Sequence, residues 1–231
     1  MIQRFVLRQP TEQAYVRRAL FAIELLDGVT LSRLSDGINI VAEGLRREYT
    51  VNASGLFVWR GKAADIAALR KLTIDPGTLP YEGREVQPAD LRLPPLPNPL
   101  TSIQLSPRIH YAFPAGITGL RGTLLEERVG APVPVRGAEV RLGWLDEDGV
   151  TWRDAATRSL TNARGDFVSL LRLSVADVPH VDASGAVTVR LRVQRDAVNE
   201  RSSTDVKLVQ GRVTDPTGAN TMTFIWDELQ P

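Results

Sequence analysis

Apolar and polar residues along this chain alternate in short runs separated by Gly, Asn, Asp and Pro, a pattern that predicts strands and turns with little helix. In the first half it predicts strands near Leu20–Leu26, Ile38–Ala42, Leu56–Arg60 and Lys71–Ile74, with one helical turn over Ala63–Leu69. Met1–Arg18 reads as an arm ahead of the first strand. In the second half, strands fall near Gly119–Leu125, Ala138–Trp144, Thr151–Ala155, Asp166–Leu173, Val187–Val193, Thr204–Gln210 and Thr221–Trp226. Val187-Thr-Val-Arg-Leu-Arg-Val193 alternates cleanly, as a strand buried on one face does. About seven strands with no interior helix predict a sandwich.

Between the halves, Leu91–Leu100 holds four prolines in ten residues: Pro94, Pro95, Pro97 and Pro99. Such a stretch is extended chain unsuited to a helix or a central strand. It sets the expected organisation: an N-terminal sandwich with its arm over 1–92, a Pro-rich linker over 93–107 and a C-terminal sandwich over 108–231. Pro94-Pro95-Leu96-Pro97 also fits a loose docking motif, although a stiff spacer is the simpler reading.

The halves echo each other. Asn52-Ala-Ser-Gly55-Leu-Phe57-Val58 and Asn162-Ala-Arg-Gly165-Asp-Phe167-Val168 share the pattern N-A-x-G-x-F-V. Upstream, Leu25-Leu26-Asp27 precedes Ile38-Asn-Ile40 as Leu124-Leu125-Glu126 precedes Ala138-Glu-Val140. Two divergent copies of one β-domain are expected. Within the motif each residue has a packing role: Asn closes the turn, Gly takes a positive φ, and Phe is the first inward residue of the next strand. Asp75-Pro-Gly77 and Asp215-Pro-Thr-Gly218 are a further pair of turns.

Composition narrows the chemistry. At 231 residues with 43% hydrophobic content, two domains are expected. Lys+Arg 28 against Asp+Glu 27 gives a net charge of +1, so neither nucleic acid nor membrane is an expected partner without a local patch. The absence of cysteine excludes disulfides, thiol catalysis and cysteine-built metal sites. All the cations except Lys62, Lys71 and Lys207 are arginines, a skew that reflects either GC-rich coding or an interface-rich surface. No signal-peptide core and no apolar run of membrane-spanning length is present, so a cytoplasmic protein is expected. Asn52-Ala-Ser54 then reads as a turn rather than a glycosylation acceptor.

Gly122-Thr-Leu-Leu-Glu-Glu-Arg-Val-Gly130-Ala-Pro132-Val-Pro-Val135-Arg-Gly137-Ala138-Glu-Val140-Arg-Leu142, followed by Thr161-Asn162-Ala-Arg-Gly165-Asp-Phe167, resembles the carboxypeptidase regulatory-like family of the transthyretin-like (prealbumin-like) group. The resemblance covers about 60 residues of the second half and is looser in the first. Two departures stand out: the extra Val133-Pro134 and the long Asp146–Trp152 hairpin. The resemblance implies an all-β fold of two prealbumin-like (Ig-like) sandwiches in tandem. It also implies a non-enzymatic role, since such domains serve as stalks, adhesin repeats, accessory domains and particle components. Some adhesin repeats of the group carry an isopeptide bond from a first-strand lysine, but no lysine lies between Ile103 and Leu125.

Few residues invite chemistry. Asp146-Glu147-Asp148-Gly149 is the densest acidic cluster, yet it lacks the alternating spacing that wraps calcium and reads as an Asp-Gly turn. Trp144 and Trp152 flank it. On one face they would form a platform for a glycan or a protein; on opposite faces, one packs inward. Trp144, Asp146, Asp148 and Trp152 are therefore the candidate interaction residues. His110 and His180 lack carboxylates at ligand spacing, and no nucleophile elbow, phosphate loop or zinc-protease motif is present. The sequence thus predicts no cofactor and no metal. It predicts a structural or adaptor subunit that binds other protein subunits, with a phage tail or contractile injection particle, released on lysis, as the expected setting. A carbohydrate- or peptide-binding module is the alternative.

Overall fold

The computed structural model of the chain describes residues 19–196, 198–214 and 222–231. The predicted arm and the Asp215-Pro-Thr-Gly218 turn lie outside them. The first half runs through β1 (Ala19–Asp27), β2 (Arg33–Leu34), β3 (Asn39–Glu43), β4 (Thr50–Val51), β5 (Phe57–Arg60), β6 (Lys71–Asp75), β7 (Arg84–Val86) and β8 (Leu100–Leu105), with a 3₁₀ turn at Ala63–Ala68. The second runs through β9 (Gly119–Glu126), β10 (Val133–Pro134), β11 (Glu139–Leu145), β12 (Trp152–Leu160), β13 (Asp166–Leu170), β14 (Ala186–Gln194), β15 (Glu200–Ser202), β16 (Val206–Val209), β17 (Val213–Thr214) and β18 (Met222–Ile225).

Each half is a pair of sheets packed face to face. In the first, β1 is central, with β5 and β2 antiparallel along one edge and β8 parallel along the other; β4 flanks β5. The facing sheet is β3-β6-β7. Alternation along β1 sends Phe21, Ile23 and Leu25 into a core shared with Ile40, Leu72 and Ile74 of the facing sheet. In the second half β9 is central, with β13 and β10 antiparallel on one edge and β17 and β18 parallel on the other. It faces β12-β11-β14, which β15 and β16 extend.

The central, edge and facing strands of the two topologies correspond, as do their registers, although β4 flanks β5 in the first half and β12 flanks β11 in the second. Phe57 pairs with Ile23 as Phe167 pairs with Gly122. In the parallel edge strand, Ile103 pairs with Leu25 as Phe224 pairs with Leu124. In the facing sheet, Ile40 pairs with Ile74 as Val140 pairs with Val193. The counterpart of β18 is therefore β8, which lies within the stretch 93–107 that reads as a linker in the sequence.

That expectation is corrected. A strand lies inside that stretch: Ala22 N–H donates to the carbonyl of Pro99 at 2.8 Å, and Leu100–Leu105 then follows β1 residue for residue. A proline ahead of a strand can still accept, so it costs the ladder nothing. The first half thus closes only after the Pro-rich segment. Two other bounds shift: the strand expected at Thr151–Ala155 runs on to Leu160, and the one expected to reach Leu173 stops at Leu170.

The repeated turn is built alike in both halves. Asn52 Oδ1 accepts from the N–H groups of Ser54 and Leu56, and Asn162 Oδ1 from those of Arg164 and Asp166, all at 2.8–3.0 Å. Gly55 and Gly165 take φ of 74° and 78°. Asp182-Ala-Ser-Gly185 makes a third such turn before β14, with Asp182 Oδ1 accepting from Ser184 and Ala186. Gly137, also singled out by the sequence, sits at φ 74° and donates to Thr161 O at 2.9 Å, closing the entry to β11.

Candidate interaction surfaces

The inward face of β1 reads Phe21, Ile23, Leu25 and then Asp27, a carboxylate only 4% exposed. Its Oδ1 accepts from Val29 N–H at 2.6 Å, and its Oδ2 from Thr30 Oγ1 at 3.0 Å and Tyr111 O–H at 2.6 Å. Burial pushes this carboxyl upward, but the hydrogen bonds from Tyr111, Val29 and Thr30 outweigh it and hold the group below its ordinary range. Burial, followed by the neighbouring Asp27 charge, raises Tyr81 to about 12 and Tyr111 further still. The two phenol rings lie 5.7 Å apart. Tyr111 belongs to the connection between β8 and β9, so this polar cluster pins the connection to the end of β1.

The second half rests on the same end. Outward residues Val168 and Leu170 of β13 join the core of the first half, while Phe167, on the other face, joins the core of the second. Just beyond, Arg172 donates to the carbonyls of Gly28 and Val29, at 2.7 Å for Val29. Asn162 Nδ2 donates to Glu82 Oε1 at 3.4 Å. Arg121 donates to Tyr111 O at 2.7 Å and sits 4.7 Å over the Phe113 ring. The joint is thus a packed strand face with polar locks at both ends. A groove of about 530 Å³ remains beside it, between residues such as Arg84, Asp90 and Gln104 on one side and Thr157 and Arg158 on the other.

At the opposite end of β1 lies a cleft of about 780 Å³, floored by Leu20 and Trp59. Trp59 stacks on Phe21 at 4.7 Å and is buried, so its edge closes the cleft bottom. Gly44 fits the wall at φ 93°, where a Cβ would meet Ala68 O at 1.8 Å. Arg46, Arg47, Arg60 and Lys62 line the cleft, are exposed, and make no ion pair among the described residues. Elsewhere the arginines are largely spent: Arg141 and Arg192 share Asp154 and Glu200 in a ladder across the second half. The near-zero net charge of the whole chain conceals this local basic patch.

The sequence-predicted interaction residues take other places. β11 and β12 pair Trp144 with Arg153 and Leu145 with Trp152, which puts the two tryptophans on opposite faces. Trp144 is 2% exposed and belongs to the core; Trp152 is half-buried beneath Arg190, 4.0 Å over its ring. The two rings therefore form no shared platform. Asp146 and Asp148 serve the turn: Asp146 Oδ2 accepts from Arg153 Nε at 2.6 Å, and Asp148 accepts from the N–H groups of Val150 and Thr151. Hydrogen bonds from Thr151, side chain first, lower Asp148 to about 2. His110 is exposed, and His180 packs against this hairpin, its N–H donating to Leu145 O at 2.8 Å. Asp27 was not singled out, although strand alternation alone puts it on the parity of Phe21, Ile23 and Leu25.

No family model matches the chain, and no curated protein does. Among solved structures it is similar to GBS52, a minor pilin of Streptococcus agalactiae, at 9% identity over 89% of this chain and 94% of that one, with a TM-score of 0.27. It is also similar to the shaft pilin SpaA of Lactobacillus rhamnosus GG, at 7% identity over 91% of this chain and 97% of that one, with a TM-score of 0.26.

Proposed function

We propose that the chain is a non-enzymatic structural or adaptor subunit of a multiprotein assembly. The observation that carries this is the joint: β13 is buried on both faces, with Val168 and Leu170 packed into the first half and Arg172 locked onto its carbonyls. Two sandwiches tied in this way form a spacer of fixed geometry, which suits load or register rather than turnover. The residues that first invited chemistry, Asp146, Asp148, Trp144 and Trp152, are engaged in the turn, in packing or beneath an arginine. We place the division between the two sandwich units at 106–118, after β8. The finer reading, a part of a phage tail or contractile injection particle made in the cytoplasm and released on lysis, rests on the motif resemblance.

Fractionation of the native source tests the role. The tagged chain is expected to sediment with a high-mass particle and to cross-link to its subunits; recovery as a free monomer throughout growth and lysis would overturn it.

A further inference from the structure

The internal repeat shows what each end of the molecule is shaped to meet. Registers place Val58 where Val168 stands, and counting along the chain from that pair, past a bulge in β1 opposite Arg60, puts Arg60 and Lys62 at the positions of Leu170 and Arg172. In the second half those outward residues sit on the end of the first, against Gly28 and Val29. In the first half, Arg60 and Lys62 are exposed and line the basic cleft with Arg46 and Arg47. The cleft is thus the first half's version of the face that makes the joint.

The receiving end has a counterpart too. Asp27, Gly28 and Val29 correspond to Glu126, Glu127 and Arg128, and Leu105 corresponds to Trp226. At this second end the carboxylates Glu126, Glu127, Asp227 and Glu228 outnumber the cations Arg128, Arg195 and Arg201. Glu126 is held by Arg195 and Arg128, Asp227 Oδ2 accepts from Glu127 N–H at 3.1 Å, and Glu127 and Glu228 are exposed with no ion partner among the described residues. Where the internal joint centres on Val168 and Leu170, the unmatched surfaces carry an excess of opposite charge.

We propose that a second copy of the chain docks its Glu127–Glu228 end onto the basic cleft of the first, repeating between molecules the joint that the two halves make within one. The two surfaces differ, so the contact is head-to-tail and continues as an open filament. The charges set partner and register, as complementary potentials do across an interface. The proposal rests on the assembly reading only in naming a partner for it. Failure to self-associate would remove this contact, whereas the assembly role falls only if the native chain sediments alone.

The test is sedimentation velocity of the full chain from low micromolar to near-millimolar concentration, at low and high salt. The wild type is expected to form concentration-dependent oligomers that dissolve as salt screens the contact. Arg60→Glu/Lys62→Glu and Glu127→Lys/Glu228→Lys are each expected to weaken association by about tenfold or more. The fourfold charge swap is expected to restore it, and an equimolar mixture of the two reversed chains to regain long oligomers in which the two variants alternate, since each end then meets a cleft of opposite charge. These side chains are exposed, so folding is checked by the melting curve; Arg60→Gln/Lys62→Gln replaces a reversal that perturbs it. A wild type that is monomeric throughout, or oligomers indifferent to both reversals, would overturn the proposal. So would a mixture of the two reversed chains that associates no better than either alone.

Discussion

Asp27→Asn is the sharpest perturbation of the joint. The carboxylate takes three hydrogen bonds, two of them on Oδ2, from Tyr111 and Thr30. An asparagine amide keeps one acceptor oxygen and turns an NH₂ toward donors that need an acceptor. A hydrogen bond to a charged group contributes about 1.5–3 kcal/mol, and a buried donor left unpaired costs about 1–3 kcal/mol, so a loss of about 3 kcal/mol is expected at neutral pH. Urea unfolding monitored by tryptophan fluorescence measures it. Tyr111→Phe removes the opposite partner, and the double variant should show a coupling of at least about 1 kcal/mol. The pH dependence supplies a second check. The folded carboxyl ionises below its ordinary value of 3.8, so its contribution is complete above that value and is lost as pH falls through the lower folded one. The gap between wild type and Asp27→Asn should therefore narrow in acid. A loss below about 0.5 kcal/mol at neutral pH, within the range of surface substitutions, would show that the Asp27 carboxylate does not hold the joint, as would a gap unchanged in acid.

Other consequences follow from single residues. Gly165→Ala places a Cβ 2.3 Å from Leu124 O at φ 78°, whereas Gly185→Ala meets nothing within 4 Å at φ 79°. The second should cost about 1 kcal/mol of backbone strain and the first about 3 kcal/mol or more, read from denaturant midpoints. Trp144→Ala should cost about 3–5 kcal/mol as a core deletion, while Trp152→Ala, losing chiefly its contact with Arg190, should cost about 1 kcal/mol. Burial and then the Asp27 charge raise Tyr81 to about 12, so the stability held in the neutral phenol is full below the ordinary 10.0 and lost as pH rises through about 12. Tyr81→Phe should flatten that alkaline fall in thermal melts. Arg172→Met should leave each sandwich folded but speed proteolysis between residues 106 and 118.

What the sequence disclosed, and what it hid, follows the range of the interactions. The repeated turn was legible because it is local: Asn162 satisfies its own neighbours' N–H groups, and Gly165 and Phe167 follow within five residues. β8 was hidden because four prolines precede it and because its partner is a parallel strand some 80 residues earlier, a pairing that leaves no turn signal between them. Alternation in Leu100-Thr-Ser-Ile-Gln-Leu105 was nonetheless present, with Ile103 and Leu105 inward. Asp27 was readable as an inward position but not as a joint, because Tyr111 lies 84 residues away. The Trp pair depended on hairpin register, which the sequence left open between one face and two. The basic cleft could not be read from composition, since Arg46 and Arg47 come from the connection after β3 and Arg60 and Lys62 from the end of β5 and the turn beyond it, in a nearly neutral chain.

On this reading the two sandwiches form one rigid body through β13 and the Asp27 cluster. A chain without cysteine allows clean spin labelling, and Val51 and Val209 are exposed positions on the two halves, at 44% and 51%. Double electron–electron resonance between labels at Val51→Cys and Val209→Cys should give a single narrow distance distribution, broadened by Arg172→Met. A broad distribution in the otherwise unaltered chain would show two sandwiches moving independently and would contradict the account.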